Sequence, residues 1–481
     1  MPATDASPTY PSILAGERRA EGPRHAVHNP WDGSLVGHAA YADAAAVRAA
    51  IDAAVAAAPA ARAMPAHARA RLLERVGCGV ADRKEELAQL LAREAGKPIA
   101  NARLELERTL FVFEYAAEEA KRLGGEVYPT DLLPQGERRL AVARRFPLAP
   151  IAGILPFNFP LLLAAHKLGP ALAVGATMVL KAPPQDPLST LLLGEIVAGA
   201  LGECGWPAGT LSVLATSVED AAPLLDDPRV RMVSFTGSAR AGWAIRARAA
   251  TKRVVLELGG NAGVVVAPDA DLDHAARRCA AGGYAYAGQS CISTQRILVH
   301  EAVHDAFVER FVAAVAALRT GDPLDAATDV GPMIDEAAAA RAEGWIRDAV
   351  SAGARVATGG GRRGAVLEPT VLLDAAPRMQ VVCEEVFAPV VAVRRYADFD
   401  AALAELDDSP YGLQAGLFTH DLRRILAAHE RVEVGALVVN DVPGWRVDSL
   451  PYGGVKASGM GREGVRSAME EMTELRLLVL G

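Results

Sequence analysis

From residue 151 onward the chain repeats one rhythm. Short apolar runs at Pro150–Leu155, Thr177–Lys181, Gly209–Leu214 and Arg231–Phe235 are separated by segments of helical pattern. Such alternation predicts a parallel sheet with crossover helices, hence an α/β fold. A second series follows at Arg253–Leu258, Gly263–Val266, Gln295–Val299, Val390–Arg394 and Ala436–Asn440, with the boundary between the two lobes expected near Leu258–Gly260. At 481 residues the chain is too long for one ordinary core, so two or three packed units are expected.

Ahead of the alternation, Asp43–Ala58, Ala66–Gly96 and a stretch from about Ala100 to Leu123 have helical spacing, with Asp43 as N-cap of the first. Residues 124–146 read as a hairpin around a Pro/Gly turn, and Glu474–Leu480 as a terminal strand that pairs elsewhere in the chain or across a subunit interface. Phe146–His166 has no charged residue, which approaches a membrane span. It also holds Pro147, Pro150, Pro156 and Pro160, each costing a helix interior roughly 3 kcal/mol. It reads instead as a buried strand and a loop.

A net charge of −8 without a basic run argues against nucleic acid. The five cysteines, Cys78, Cys204, Cys279, Cys291 and Cys383, are odd in number and lack C-x-x-C spacing, which predicts neither a disulfide framework nor a zinc cluster and suits a cytoplasmic protein. The N-terminal stretch M-P-A-T-D-A-S-P-T-Y shows no leader pattern. Gly359–Gly364 and Gly459–Gly464 match G-x-G-x-x-G but not in a strand-to-helix context, so both are expected to be turns. His300–His304 matches H-E-x-x-H, yet His300 closes a β-like run and cannot share a helical face with His304.

Three segments carry chemistry. Cys291 sits in Y-A-G-Q-S-C-I-S-T-Q-R, where Gly288 permits unusual backbone geometry and Gln289 and Ser290 supply polarity. A cysteine in such a chain is more often an inert core thiol, so its neighbours decide. V-L-E-L-G-G-N (Val255–Asn261) buries Glu257 at an apolar strand end, and a buried carboxylate gains the raised pKa that a general base needs. P-F-N-F-P (Pro156–Pro160) presents Asn158 as a fixed amide donor for a developing oxyanion.

In this order, with Glu257 and Cys291 34 residues apart and E-A-G-K-P at Glu94–Pro98 and G-R-E-G at Gly461–Gly464, the chain resembles the aldehyde dehydrogenase superfamily over nearly its whole length. The resemblance implies a Rossmann-like cofactor domain (1–122 and 146–256), an α/β catalytic domain (257–464) and a small β oligomerisation arm (123–145 and 465–481). It implies a Cys291 thiolate adding to an aldehyde, Asn158 and the Cys291 N–H holding the oxyanion, and Glu257 activating the water that hydrolyses a thioester to a carboxylate. NAD or NADP would be held by Leu155, Pro156, Phe157, Lys181, Gly237, Ser238, Leu258, Glu385 and Phe387, without a metal. Pro184 stands where many NAD-preferring members carry a glutamate, so a 2′-phosphate is not repelled and NADP becomes possible. Asn261 and Ala388 also depart from the commonest pattern.

Positions that the family uses for its substrate tunnel are Phe159, Leu162, His166, Ser290, Ile292, Arg446 and Tyr452. An Arg in a closed tunnel needs an anion, either the substrate or Asp448. With I-S-T-Q-R after the cysteine, the chain looks most like the lactaldehyde-dehydrogenase-like branch. That implies a small polar or anionic aldehyde and a homodimer or homotetramer with no membrane partner. A cysteine-dependent esterase and a catalytically silent structural paralogue are the competing readings.

Overall fold

The computed structural model describes residues 7–481; the first six residues, part of the stretch inspected for a leader, lie outside the described residues. Helix α1 (Ala44–Ala63) begins where Asp43 accepts a hydrogen bond from the Ala46 N–H at 2.8 Å. It continues through Pro59 rather than stopping at Ala58, its last turn held by the buried Ala61. By length and composition α1 could cross a membrane, but Val47, Ile51 and Ala54 are buried in a core cluster with sheet residues.

The segment 66–96 is two helices, not one: α2 (Ala66–Asp82) and α3 (Lys84–Ala95). Arg83 leaves helical geometry and grips Glu86 at 2.7 and 2.8 Å, while Glu85 and Glu86 put negative charge in the first turn of α3, where the helix dipole favours it. Helix α4 (Ile99–Ala120) follows.

The first large sheet has a parallel centre of β1 (Ile151–Ile154), β2 (Met178–Lys181), β3 (Leu211–Leu214), β4 (Met232–Thr236) and β5 (Arg253–Glu257), in spatial order 5-4-1-2-3. The sequence grouped Arg253–Leu258 with the second series. The structure pairs β5 with β4 over five residues instead. Strand order reverses between β1 and β4, which opens a crevice at their C-terminal ends. Two segments leave β1 and β4 there, Leu155–Phe159 and Gly237–Ser238.

Helix α5 (Pro160–Val174) supplies the β1–β2 crossover, with Pro at its first position and left-handed Gly175 closing it. The uncharged stretch 146–166 therefore holds a strand, a loop and also the start of a helix. Helix α6 (Pro187–Glu203) crosses from β2 to β3, and α7 (Ala239–Arg248) from β4 to β5.

The second large sheet contains β6 (Gly263–Val266), β7 (Arg296–His300), β8 (Arg355–Thr358), β9 (Thr370–Leu373), β10 (Val390–Tyr396), β11 (Gln414–Phe418) and β12 (Ala436–Val439), ordered 8-9-10-7-6-11-12. Only β8 runs antiparallel to its neighbour. The chain passes from one sheet to the other over Leu258–Ala262, between β5 and β6. Gly459–Met460 returns to pair with β5, so the C-terminal segment ties back to the first sheet.

Gly359–Gly361 link β8 to a two-residue strand, as the turn reading expects. Gly459–Gly464 is instead a two-residue strand and a loop leading into the helix Val465–Glu471, but that strand pairs antiparallel with β5 and so opens no parallel βαβ unit. His300 ends β7 and His304 starts the next helix, and no cluster able to hold a metal is found among the described residues. The hairpin is real, with Gly125–Tyr128 pairing Leu140–Pro147, and the tail strand Thr473–Leu480 adds to it over eight residues.

Gly96 ends α3 at φ +67°, and a Cβ there would lie 2.7 Å from Pro332 Cγ and 2.8 Å from Pro30 Cγ. Gly96→Ala is expected to cost about 1–2 kcal/mol at the first urea transition, from the left-handed backbone and the crowding. A change within about 0.5 kcal/mol, the scale of neutral surface substitutions, would contradict this packing.

Candidate active site

Cys291 lies on the loop entering β7. That loop is forced into shape by three consecutive left-handed residues, Tyr286, Ala287 and Gly288 at φ +48°, +51° and +69°. Two are not glycine, so surrounding contacts must hold them. The Tyr286 hydroxyl donates to the Ala95 carbonyl at 3.1 Å. Gln289 accepts the Ile334 N–H on Oε1 at 2.9 Å. A Cβ on Gly288 would come 2.1 Å from the Ala388 carbonyl oxygen.

The half-buried Cys291 Sγ is 3.1 Å from the Tyr452 hydroxyl. Burial pushes the thiol up to about 12, against the lowering effects of that hydrogen bond and of Arg446. Asn158 arrives from the loop after β1, its amide Nδ2 donating to the Gln289 carbonyl at 3.1 Å, two residues before the sulfur. Glu257 is the last residue of β5, is 3% exposed, and neither carboxyl oxygen has a hydrogen-bond partner. A Cβ on Gly453 would lie 2.9 Å from Glu257 Oε1, which places this carboxyl against the Tyr452–Gly453 segment. Cys291, Glu257 and Asn158 thus share one neighbourhood.

Burial raises the Glu257 pKa well above the carboxylate range, and the nearby Glu463 raises it further. Glu463 is equally buried but shifts the other way, because Lys167 Nζ at 3.3 Å and Arg446 Nη2 at 3.8 Å favour its charged form. Lys167 also donates to Ser234 Oγ at 3.0 Å and Thr236 Oγ1 at 2.8 Å. The sequence reading missed Lys167 and Glu463. A lone lysine inside P-L-L-L-A-A-H-K-L-G-P should have demanded a buried partner.

Among the expected substrate positions, Arg446 and Tyr452 come together, with the guanidinium 3.7 Å from the Tyr452 ring centroid. Leu162 and His166 lie on α5, and Ile292 packs with Tyr452 and Leu413. Ser290 borders a small polar cavity with Glu385 and Phe387, while the Phe159 ring packs under Lys97 and against Tyr286. Asp448 is already engaged: Arg108 donates to both its oxygens at 2.8 Å and His166 Nε2 lies 3.0 Å from Oδ1. Arg446 forms an ion pair with the same oxygen, Nε at 3.4 Å, and its Nη2 lies 3.1 Å from His166 Nε2. The pair with Asp448 expected as one alternative is therefore present but shared with Arg108 and His166. Burial and the Arg446 charge lower the His166 pKa, keeping the ring neutral.

On the crevice side, Lys181 closes β2 with its ammonium donating to the Ala182 carbonyl at 3.2 Å, and burial pushes it down to about 8. No carboxylate pairs with it among the described residues. Ser238 caps α7, accepting from the Ala241 N–H at 3.4 Å, and Gly237 donates its N–H to the Glu257 carbonyl at 3.0 Å. Leu155 donates its N–H to the Lys181 carbonyl at 3.2 Å, Pro156 follows, and Leu258 packs on Gly242 of α7. Phe157 meets Phe387 edge-on at 5.9 Å, joining a first-sheet loop to a second-sheet loop. Glu385 accepts the Gly260 N–H at 2.9 Å, and burial raises it to about 7.

This seam between two α/β lobes matches known proteins along its whole course. The aldehyde dehydrogenase family profile aligns with residues 18–478. The chain belongs to the aldehyde dehydrogenase family. It is 45% identical to the 3-sulfolactaldehyde dehydrogenase of Priestia megaterium over 399 residues, 83% of each protein. The crystal structure of aldehyde dehydrogenase 21 from Physcomitrella patens, in complex with its product succinate, superimposes with a TM-score of 0.96 at 44% identity, covering 99% of this chain and 98% of that one. A glyceraldehyde-3-phosphate dehydrogenase from Methanocaldococcus jannaschii, complexed with NADP, gives 0.92 at 35% identity over 96% of this chain and 100% of its own.

The raised Glu257 pKa has a stability consequence with a defined sign. Between the ordinary carboxylate range and the raised folded value, the unfolded chain has released a proton that the folded chain still holds, so stability falls as pH rises. Glu257→Gln removes that slope. Its stabilising effect should therefore grow as pH rises above the ordinary carboxylate range, by up to about 1.4 kcal/mol per pH unit until the folded carboxyl ionises. A pH-independent difference in urea unfolding would show that the carboxyl is not held protonated.

Proposed function

We propose that this aldehyde dehydrogenase oxidises a small anionic aldehyde to its carboxylate, with NAD or NADP as hydride acceptor and a covalent adduct on Cys291. The observation that carries the reading is the buried Arg446, stacked on Tyr452 beside the sulfur while Arg108 and His166 occupy Asp448. Around that point, among the described residues, Lys167, Arg108, Arg446 and Arg462 gather about the carboxylates of Asp448 and Glu463, while burial favours the protonated form of Glu257. Positive charge exceeds negative charge beside the buried Arg446, and a substrate anion balances it. The anionic aldehyde and product named for the Priestia and Physcomitrella proteins support the same class.

Deprotonated Cys291 adds to the aldehyde carbon, and the developing oxyanion is met by the Asn158 amide and the Cys291 N–H. A nicotinamide dinucleotide, when bound, would supply the hydride acceptor that turns the adduct into a thioester. Glu257 acts after giving up its proton: its raised pKa then makes the carboxylate a strong acceptor for the proton of the water that hydrolyses the thioester. Lys181, the α7 N-terminus capped by Ser238, and Glu385 with Phe387 form the dinucleotide site. A buried ammonium without a carboxylate partner, together with Pro184, fits either ribose or a 2′-phosphate.

On this reading residues 1–122 and 146–256 bind the dinucleotide and 257–464 carry the reacting groups. The arm 123–145 with 465–481 meets a second copy, in a homodimer or homotetramer. Val127 and Leu477, 68% and 61% exposed on the three-stranded arm sheet, support the last assignment. The five free cysteines fit a cytoplasmic enzyme.

Initial rates with NAD and NADP over lactaldehyde, 3-sulfolactaldehyde, succinic semialdehyde, phosphonoacetaldehyde and hexanal test the proposal. The best anionic substrate should exceed hexanal in kcat/KM, and Arg446→Met should remove about 10- to 100-fold of that advantage, the worth of a buried charge-assisted hydrogen bond. A preference for hexanal, or an Arg446 variant that slows every aldehyde equally, contradicts the anionic-substrate reading.

A further inference from the structure

The reacting groups stand on separate loops, and one side chain outside them touches two of these loops at once. Lys97 lies in the turn between α3 and α4 with its side chain fully buried. Its ammonium forms an ion pair with Glu105 and donates to the main-chain carbonyl of Asn158 at 2.6 Å. It lies 4.0 Å from the Phe159 ring centroid and 4.4 Å from that of Tyr286, the first of the three left-handed residues leading to Cys291. Glu105 in turn accepts the N–H groups of Leu161 and Leu162 at 3.0 and 3.2 Å, which caps the start of α5. Both ends of the segment Asn158–Leu162 are therefore pinned by one buried pair.

We propose that Lys97, together with Glu105, is a positioning residue for the oxyanion donor. It fixes the Asn158–Phe159 peptide so that the Asn158 amide reaches across to the cysteine loop, and it seats Tyr286 beneath that loop. The inference rests on Asn158 being the donor, as proposed above. Stability alone does not call for such a pair, because well-packed apolar residues often replace a buried ion pair at no cost. An apolar residue at 97, however, has no proton to give the Asn158 carbonyl. A main-chain shift of about 1 Å at that carbonyl would carry the amide out of reach of the developing charge.

The test is a double-mutant cycle. Lys97→Met with Glu105→Gln leaves no unpaired buried charge and keeps an acceptor for the α5 N–H groups. In the wild-type background this double variant should lower kcat about 10- to 100-fold with nucleotide affinity retained, as expected for a misplaced catalytic group. In an Asn158→Ala background, measured by single turnover, it should cost less than about threefold, because the group it positions is gone. Equal losses in both backgrounds, or no loss in either, overturn the inference. If Asn158→Ala alone stays within about threefold of wild type, the oxyanion reading itself fails, since removing such a donor ordinarily costs 10²–10³. Should the double variant not yield folded enzyme, Glu105→Gln alone in the same two backgrounds is read by the same criterion with a smaller loss.

Discussion

A carboxylic acid sealed at a strand end without a single hydrogen bond governs the rest of this site. Glu257 is removed from water at the end of β5, and that desolvation raises its pKa and favours the protonated form. With its neutral form favoured, Glu257 takes no hydrogen-bonded ion-pair partner, and the neighbouring charges form a chain of their own. Lys167 answers Glu463, Arg108 answers Asp448, and Arg446 is left with contacts to an aromatic face and to groups already engaged. The same burial that tunes the acid also leaves a cation facing the cysteine.

The scaffold explains why these groups meet. Parallel strands deliver side chains at their C-terminal ends, so the loop after β1, the end of β5 and the start of α7 open on the same crevice. The second sheet brings the cysteine loop, Glu385 and Phe387 to the opposite wall. Strained backbone at Tyr286–Gly288 is tolerated because Ala95, Ile334 and Ala388 hold the loop from three sides. Rigidity in the seam comes from contacts spanning hundreds of residues, such as Arg108 with Asp448 and Lys167 with Glu463.

The pattern of elements was legible because strands buried on both faces read as apolar runs whatever surrounds them. Which sheet a run joins is not written in its residues, and Arg253–Leu258 was grouped with the wrong series for that reason. The break at Arg83 was hidden because arginine is a good helix former and the turn is stabilised by a side chain three residues on. Cys291, Glu257 and Asn158 stand out by local chemistry. Lys97, Lys167 and Glu463 do not, since each depends on a partner brought close only by folding. The sequence around Arg446 shows Asp448 two residues on but not Arg108, 340 residues from Asp448, which shares that carboxylate.

The central claim is that the sulfur of Cys291 carries the substrate while Glu257 activates the water that frees it. The most direct measurement mixes the Glu257→Gln enzyme with nucleotide and an anionic aldehyde, quenches within one turnover, and reads peptide masses. The account predicts an acyl mass on the peptide containing Cys291, accumulating with reduced nucleotide. Reduced nucleotide without that adduct, or the mass on the peptide of Cys383 or Cys78 instead, would contradict it.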